Sequence, residues 1–206
     1  MSENLYTEEY TAYQLERSAF RQWVRNNLYI KNMIRFTTGP TIDFGCGVGE
    51  VLEQLPAGSL GLEINETTVA YCQSRGLNVR LYDPEADDYQ FRGLIPGQFK
   101  SLLMAHVLEH LTNPQEVIRK LLTTGERLGI DRFIFVVPGV KGFRHDATHR
   151  TFLDRDFFVK HGLTTYGSYH LIHQKYFPLN SKAFSRYFTH NELVSVYERA
   201  KANSDS

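Results

Sequence analysis

The chain has 206 residues, the size of one single-core domain, and 42% hydrophobic with 22% charged residues is the composition of an ordinary globular protein. Its 23 basic and 23 acidic residues cancel, which argues against duplex nucleic acid as the main partner, since such proteins carry a basic excess. No apolar run approaches the ~20 residues of a membrane span, and the acidic, aromatic start MSENLYTEEY is neither a secretory signal nor a transit peptide. Two cysteines, Cys46 and Cys72, make no disulfide or metal framework, so a reducing, cytoplasmic setting is expected. The chain is expected to act as a monomer or homodimer.

In chain order, residues from about Glu8 to Phe36 read as helix, with Phe20, Val24 and Leu28 in one row and Trp23, Ile30 and Ile34 nearby. Arg17, Arg21 and Arg25 form a second stripe, read as a solvated face. With Tyr6, Tyr10 and Tyr13 ahead of it, the segment 1–38 is expected to be a helical extension that closes over a ligand, leaving 39–206 as the main domain. Gly39-Pro40 stops the helix. Ile42–Phe44 then reads as a buried strand, Gly45–Gly49 as a loop and Glu50–Leu55 as a helix start. Strands are expected at Ser59–Ile64, Leu77–Tyr82, Phe99–Met104 and Arg132–Val137. Helices are expected from Glu66 to Arg75 and from Asn113-Pro114 to Leu122, with an acidic loop at Asp83–Asp88. Such alternation implies a parallel sheet covered on both faces. After a loop from Gly139 to Arg150 and a helix from Asp154 to His161, extended stretches at Tyr169–Phe177 and Glu192–Tyr197 are expected to close the sheet as an antiparallel pair. The fold class is therefore α/β: a Rossmann-like, seven-stranded, mostly parallel, doubly wound sheet with an N-terminal helical extension.

The stretch TIDFGCGVGE carries the first chemical signal. Three glycines within five residues, directly after a strand, remove side chains so that backbone can approach a ligand, and they permit positive φ. The next strand ends at Glu63, where a carboxylate can accept both hydroxyl hydrogens of a ribose and would repel a 2′-phosphate. Dinucleotide sites prefer G-x-G-x-x-G, whereas Asp43 through Gly49 reads D-x-G-x-G-x-G. A carboxylate leading the loop is unfavourable beside a pyrophosphate and helpful beside a cationic amino or sulfonium group.

These motifs resemble class I S-adenosylmethionine-dependent methyltransferases from about Thr41 to Gly162. Asp43-Phe-Gly-Cys-Gly-Val-Gly49 is similar to the family's first motif and Gly-Leu-Glu63 to its second. Ala105-His-Val-Leu-Glu-His110-Leu resembles the fourth-strand motif of the branch with ubiquinone-type and sugar-type O-methyltransferases. The resemblance implies S-adenosylmethionine as cofactor, S-adenosylhomocysteine as its product, and Asp43, Gly45, Cys46, Gly47, Gly49, Glu63, Ile64, Tyr82, Asp83, His106 and Val107 as the residues around it. Asp83 has a second reading, as a cap for the turn before Pro84.

Methyl transfer from a sulfonium needs an aligned acceptor, a dry site and, for a hydroxyl acceptor, a base. Histidine suits that role near neutral pH. His106, His110, His145, His149 and His161 fall on the strand-end side of the sheet. His149, helped by Asp146, is the expected base, with His145 beside them and Phe152 following, as in many relatives. A metal held by His145, Asp146 and His149 is the weaker reading, because the loop offers few carboxylates, so no metal is expected. The Ala105-His-Val-Leu stretch lacks the Pro-Pro-aromatic motif of nucleobase-amine enzymes, and neither cysteine is placed as a C5 nucleophile. A small or carbohydrate-like oxygen acceptor remains, with Lys141, Arg144 and Arg150 hinting at an anionic one. N-methylation of a small amine or protein side chain, and a regulatory module that binds cofactor without catalysis, are the alternatives.

Overall fold

The apolar runs read as strands enter one sheet. The computed structural model describes residues 25–200, and its strands are β1 (Thr41–Phe44), β2 (Leu60–Glu63), β3 (Val79–Leu81), β4 (Ser101–Ala105), β5 (Arg132–Pro138), β6 (Thr165–Tyr166), β7 (Tyr169–Phe177) and β8 (Glu192–Arg199). Their order is β3-β2-β1-β4-β5-β8-β7-β6. β1 to β5 run parallel, and β6 to β8 join antiparallel. The sheet has eight strands rather than the expected seven. The extra one, β6, is a two-residue edge that turns back on β7 at Gly167-Ser168. Strand order reverses between β1 and β4, so the crevice for a ligand opens at their carboxyl ends.

The core follows the alternation of the strands. On β5, Phe133, Phe135 and Val137 join the core of one face, while Ile134 and Val136 join that of the other. The first face is covered by the helix Pro114–Leu128, which buries Ile118, Leu121, Leu122 and Leu128. This helix runs past Leu122 because Gly125, weak in a helix, lets the strand approach closely: a Cβ there would sit 2.4 Å from Cζ of Phe133. The second face is covered by the helix Glu66–Ser74, capped by Asn65, and by Ile30 and Met33 of the N-terminal segment.

Three local expectations give way. Glu50–Leu55 does not start an α-helix; only a 3₁₀ turn, Leu52–Gln54, forms. Pro56 drives Leu55 to extended backbone (ψ 158°), which ends any helix after one turn. The acidic loop contains a short helix, Pro84–Asp87, and the expected loop after β5 begins with the helix Val140–His145. The N-terminal helix is described only from a π-helical turn, Arg25–Ile30, into Lys31–Ile34, so Tyr6, Tyr10, Tyr13, the Arg17 and Arg21 stripe, Phe20, Trp23 and Val24 lie outside the described residues. Among the described residues, no helix is long and apolar enough to cross a membrane.

Candidate functional site

The glycine loop sits at the carboxyl end of β1. Gly45, Gly47 and Gly49 have φ of 73°, 52° and 85°, a region that costs a side-chain-bearing residue ~1–2 kcal/mol. A Cβ on Gly45 would lie 2.7 Å from Cγ2 of Val107, so loop and β4 tip touch. One on Gly49 would lie 2.4 Å from Cδ1 of Leu77, which makes this glycine a packing requirement as well.

Glu63, buried at the tip of β2, organises that loop. Its Oε2 accepts from the Gly47 amide (2.9 Å), and its Oε1 accepts from the Ile64 (2.9 Å) and Asn65 (3.0 Å) amides. Burial pushes the carboxyl above the usual range against the pull of these three bonds. Asp43 and Cys46 are buried beside it. Burial, with the charges of Asp43 and Glu63, holds the Cys46 thiol far above its ordinary value, so it is a packing group and not a nucleophile. Tyr82 follows β3; its hydroxyl donates to Asp87 and its ring packs edge-on against Phe44. Asp83 is exposed and accepts from the Glu85 and Ala86 amides at 2.9 and 3.2 Å, the capping role.

The tip of β4 holds the charged centre. His106 has φ of 58°, unusual for a residue with a Cβ and typical of constrained sites. Its Nε2 lies 3.1 Å from Oε1 of Glu192 and its Nδ1 lies 3.3 Å from Oε1 of Glu109. Burial opposes its charge, but the two glutamates outweigh it and push the imidazole up to about 10. A cation is therefore fixed where β4, β5 and β8 meet.

Across from it stands the segment after β5. The Arg150 and Thr151 amides donate to the carbonyl of Glu109 (2.8 and 3.1 Å), docking the segment on the β4 turn. This brings His149 beside that turn, its Nδ1 donating to the Phe143 carbonyl (2.8 Å) and its Nε2 3.9 Å from Glu109 and 3.8 Å from Asp146. His110 packs edge-on against His149, and burial lowers its pKa. Asp146 is held below the usual carboxylate range, where bonds from Thr148 outweigh its desolvation. His145 is exposed at the end of its helix and does not join this group. The histidine–carboxylate cluster that forms is Glu109, His110 and His149 rather than His145, Asp146 and His149.

A pocket of about 610 Å³ adjoins the cluster, lined by Val140, Phe143, Arg144, Phe152, Lys182 and Arg186. It lies on the carboxyl edge of the parallel strands, because Pro138 at the end of β5 pairs with Glu192 at the start of β8. Of the three expected cations only Arg144 lines it. Lys141 donates to the Tyr187 carbonyl, and Arg150 reaches toward Thr112. Lys182 and Arg186 went unread because the segment between β7 and β8 carries no motif, and only antiparallel pairing returns it to this edge. Glu192 was missed for the same reason. Glu109 was visible in the Leu-Glu-His turn, but nothing local announced that it would be buried.

Residues 25–138 match the family model "Methionine biosynthesis protein MetW". No curated protein matches the sequence. Among solved structures, the CcbJ methyltransferase from Streptomyces caelestis aligns with a TM-score of 0.65 at 13% identity, covering 98% of this chain and 100% of that one. A SAM-dependent methyltransferase from Archaeoglobus fulgidus gives 0.57 at 17% identity, covering 88% and 100%. Magnesium protoporphyrin IX methyltransferase from Synechocystis, determined with bound SAH, gives 0.53 at 15% identity, covering 87% and 84%. At these identities the likeness is one of fold, that of the class I methyltransferases.

Proposed function

We propose that this chain, which belongs to the MetW family, transfers a methyl group from S-adenosylmethionine to a hydroxyl of a small, anionic or carbohydrate-like acceptor. The observation that carries the reading is the glycine loop at the β1 tip, held open by Glu63 across three backbone amides at the point where strand order reverses. The chemistry of the loop suits the cofactor: three positive-φ glycines expose backbone, and acidic residues rather than a pyrophosphate cradle line it. When bound, the cofactor supplies a methyl group already activated on a sulfonium.

The chain's own residues do the rest. Gly45, Cys46, Gly47 and Gly49 present the loop, with Asp43 beneath it and Val107 against it. Glu63 and Ile64 at the β2 tip, and Tyr82 with Asp83 after β3, flank the nucleoside end. His106, cationic between Glu109 and Glu192, offers charge for a carboxylate of the cofactor or acceptor. In the 610 Å³ pocket, Arg144 and Arg186 make no ion pair with described residues, while Phe143 and Phe152 give apolar walls that exclude water. These features favour an acceptor bearing carboxylate or phosphate. With Nδ1 donating to the Phe143 carbonyl, the neutral ring of His149 presents its Nε2 lone pair, which takes the hydroxyl proton. Glu109 and Asp146 then stabilise the imidazolium.

Calorimetry is expected to show micromolar binding of S-adenosylmethionine or S-adenosylhomocysteine and little binding of NAD. A tritiated-methyl transfer screen against cell extract should then label a small acidic product. Tight cofactor binding with no labelled product of any kind would overturn catalysis in favour of a regulatory module, and a labelled amine would overturn the oxygen acceptor.

A further inference from the structure

Glu109 is fully buried, and neither of its carboxylate oxygens receives a hydrogen bond. Its contact with Nδ1 of His106, at 3.3 Å, is an ion pair rather than an aligned hydrogen bond. A buried carboxylate left in that state is costly unless something further meets it. Two imidazoles with the same polarity lie near it, those of His110 and His149. His149 donates through Nδ1 to the Phe143 carbonyl at 2.8 Å. Thr148 Oγ1 donates to Asp146 at 2.6 Å, so toward His110 Nδ1, 3.0 Å away, it can only accept. In their neutral forms both rings therefore keep Nδ1–H on an oxygen acceptor and present Nε2 as the free acceptor atom, the arrangement in which histidines bind metal ions. One ligand atom each from Glu109, His110 and His149 lie within 4.8 Å of one another.

We infer that Glu109, His110 and His149 form a binding site for a divalent first-row metal ion, with its remaining positions available to an oxygen of the acceptor. Two imidazoles and one carboxylate are the donor set of catalytic zinc and of related manganese and iron sites. Ligand atoms around a tetrahedral ion stand ~3.3 Å apart, so the trio must close inward by about 1 Å. Closure is short because the partners are already tied, with Arg150 and Thr151 bonded through their amides to the Glu109 carbonyl. Position links the site to the proposed pocket, since Phe143 lines that pocket and stacks on His149 with ring centroids 5.4 Å apart.

What the ion does rests on the methyl-transfer reading; whether it binds does not. An ion on Nε2 removes the lone pair that would take a proton, so His149 becomes a ligand. Held by Glu109, His110 and His149, the ion would supply Lewis-acid chemistry, lowering the pKa of an acceptor hydroxyl that binds one of its remaining positions.

The test uses the full chain stripped with a chelator and titrated with Zn²⁺ in a calorimeter and with Co²⁺ in a spectrophotometer. One equivalent of each is expected to bind with micromolar or tighter affinity, and Co²⁺ should show the intense visible bands of a low-coordinate nitrogen–oxygen site. Glu109→Gln and His110→Ala should weaken binding at least tenfold, whereas His170→Ala, on the exposed side of β7, should leave it unchanged. Absence of binding, a Co²⁺ spectrum like that of the aquated ion, or a Glu109→Gln chain that folds and binds as tightly as wild type would each overturn the site. The Co²⁺ spectrum of the wild-type chain decides the matter even if a variant does not fold. S-adenosylmethionine affinity, measured in parallel, reports on the methyl-transfer reading alone, so the two can fail separately.

Discussion

Glu63 joins two jobs in one carboxylate. It holds Gly47, Ile64 and Asn65 by their amides, and the same oxygens face the place proposed for a ribose. Glu63→Ala is expected to weaken S-adenosylmethionine binding by ~1.5–3 kcal/mol, the worth of hydrogen bonds to a charged group, and to lower the melting temperature of the ligand-free chain. Calorimetry and a thermal melt check both effects, and unchanged affinity with a lowered melting point would leave Glu63 as a loop support only. His149 is tested through rate. In the metal-free reading, His149→Ala should lower turnover by ~10²–10⁴-fold with cofactor affinity intact, and His149→Gln should not restore it. A variant retaining more than about a third of wild-type turnover at saturating acceptor would remove His149 from the proton path. The residue types around both positions were legible in the sequence. Their partners were not, because a side chain's hydrogen bonds depend on which distant backbone reaches it.

Elements succeeded where pattern and packing agree. β5 alternates buried residues on two faces, and β7 with β8 closes the sheet as the antiparallel pair that the sequence pattern anticipates. The segment Gly49–Pro56 fails because one proline overrides helical composition, and Val140–His145 becomes helical although its glycine and charge suggest a loop. There Gly142 has a tertiary purpose: a Cβ would lie 2.6 Å from the Thr189 carbonyl oxygen, so the helix rests directly on the segment before β8. The antiparallel strands also set an alkaline limit. Tyr169 and Tyr197 are fully buried, donate to the Ile130 and Leu163 carbonyls, and are held by burial above the ordinary phenol value. The unfolded chain loses these protons near pH ~10 while the folded chain keeps them, so stability is present below that pH and falls as pH rises beyond it. Tyr169→Phe should reduce that alkaline slope in denaturant titrations and cost about 1–2 kcal/mol at neutral pH, since the Ile130 carbonyl loses its donor. An unchanged slope would place the alkaline limit elsewhere.

At the scale of the molecule, the N-terminal segment meets both the core and the site edge. Ile30 and Met33 are buried on the second sheet face, while Tyr29 packs edge-on against Phe177 and His190 beside the start of β8. The lid expected from the sequence lies ahead of this segment, and truncation tests it. Deleting residues 1–14 should raise the S-adenosylmethionine dissociation constant several-fold while leaving the ligand-free melting temperature nearly unchanged, which binding and melting measurements resolve. A large loss of stability with unchanged binding would make the segment a packing element only.

The sequence alone determined what is local or periodic: the five parallel strands and the closing antiparallel pair, the glycine loop with Glu63 at the next strand tip, and the histidine-rich segment after β5. These follow from backbone sterics and the burial of one face per element, which act within a few residues. Tertiary structure alone decided which charges meet. Glu109 and His149 lie forty positions apart, and they face each other because Arg150 and Thr151 hydrogen-bond to the Glu109 carbonyl. Glu192 reaches His106, and Lys182 and Arg186 reach the pocket, because β8 runs antiparallel to β5 and returns its start to the carboxyl edge. Such pairings depend on strand order and register, which no short stretch of sequence encodes, and that is where the site's chemistry was set.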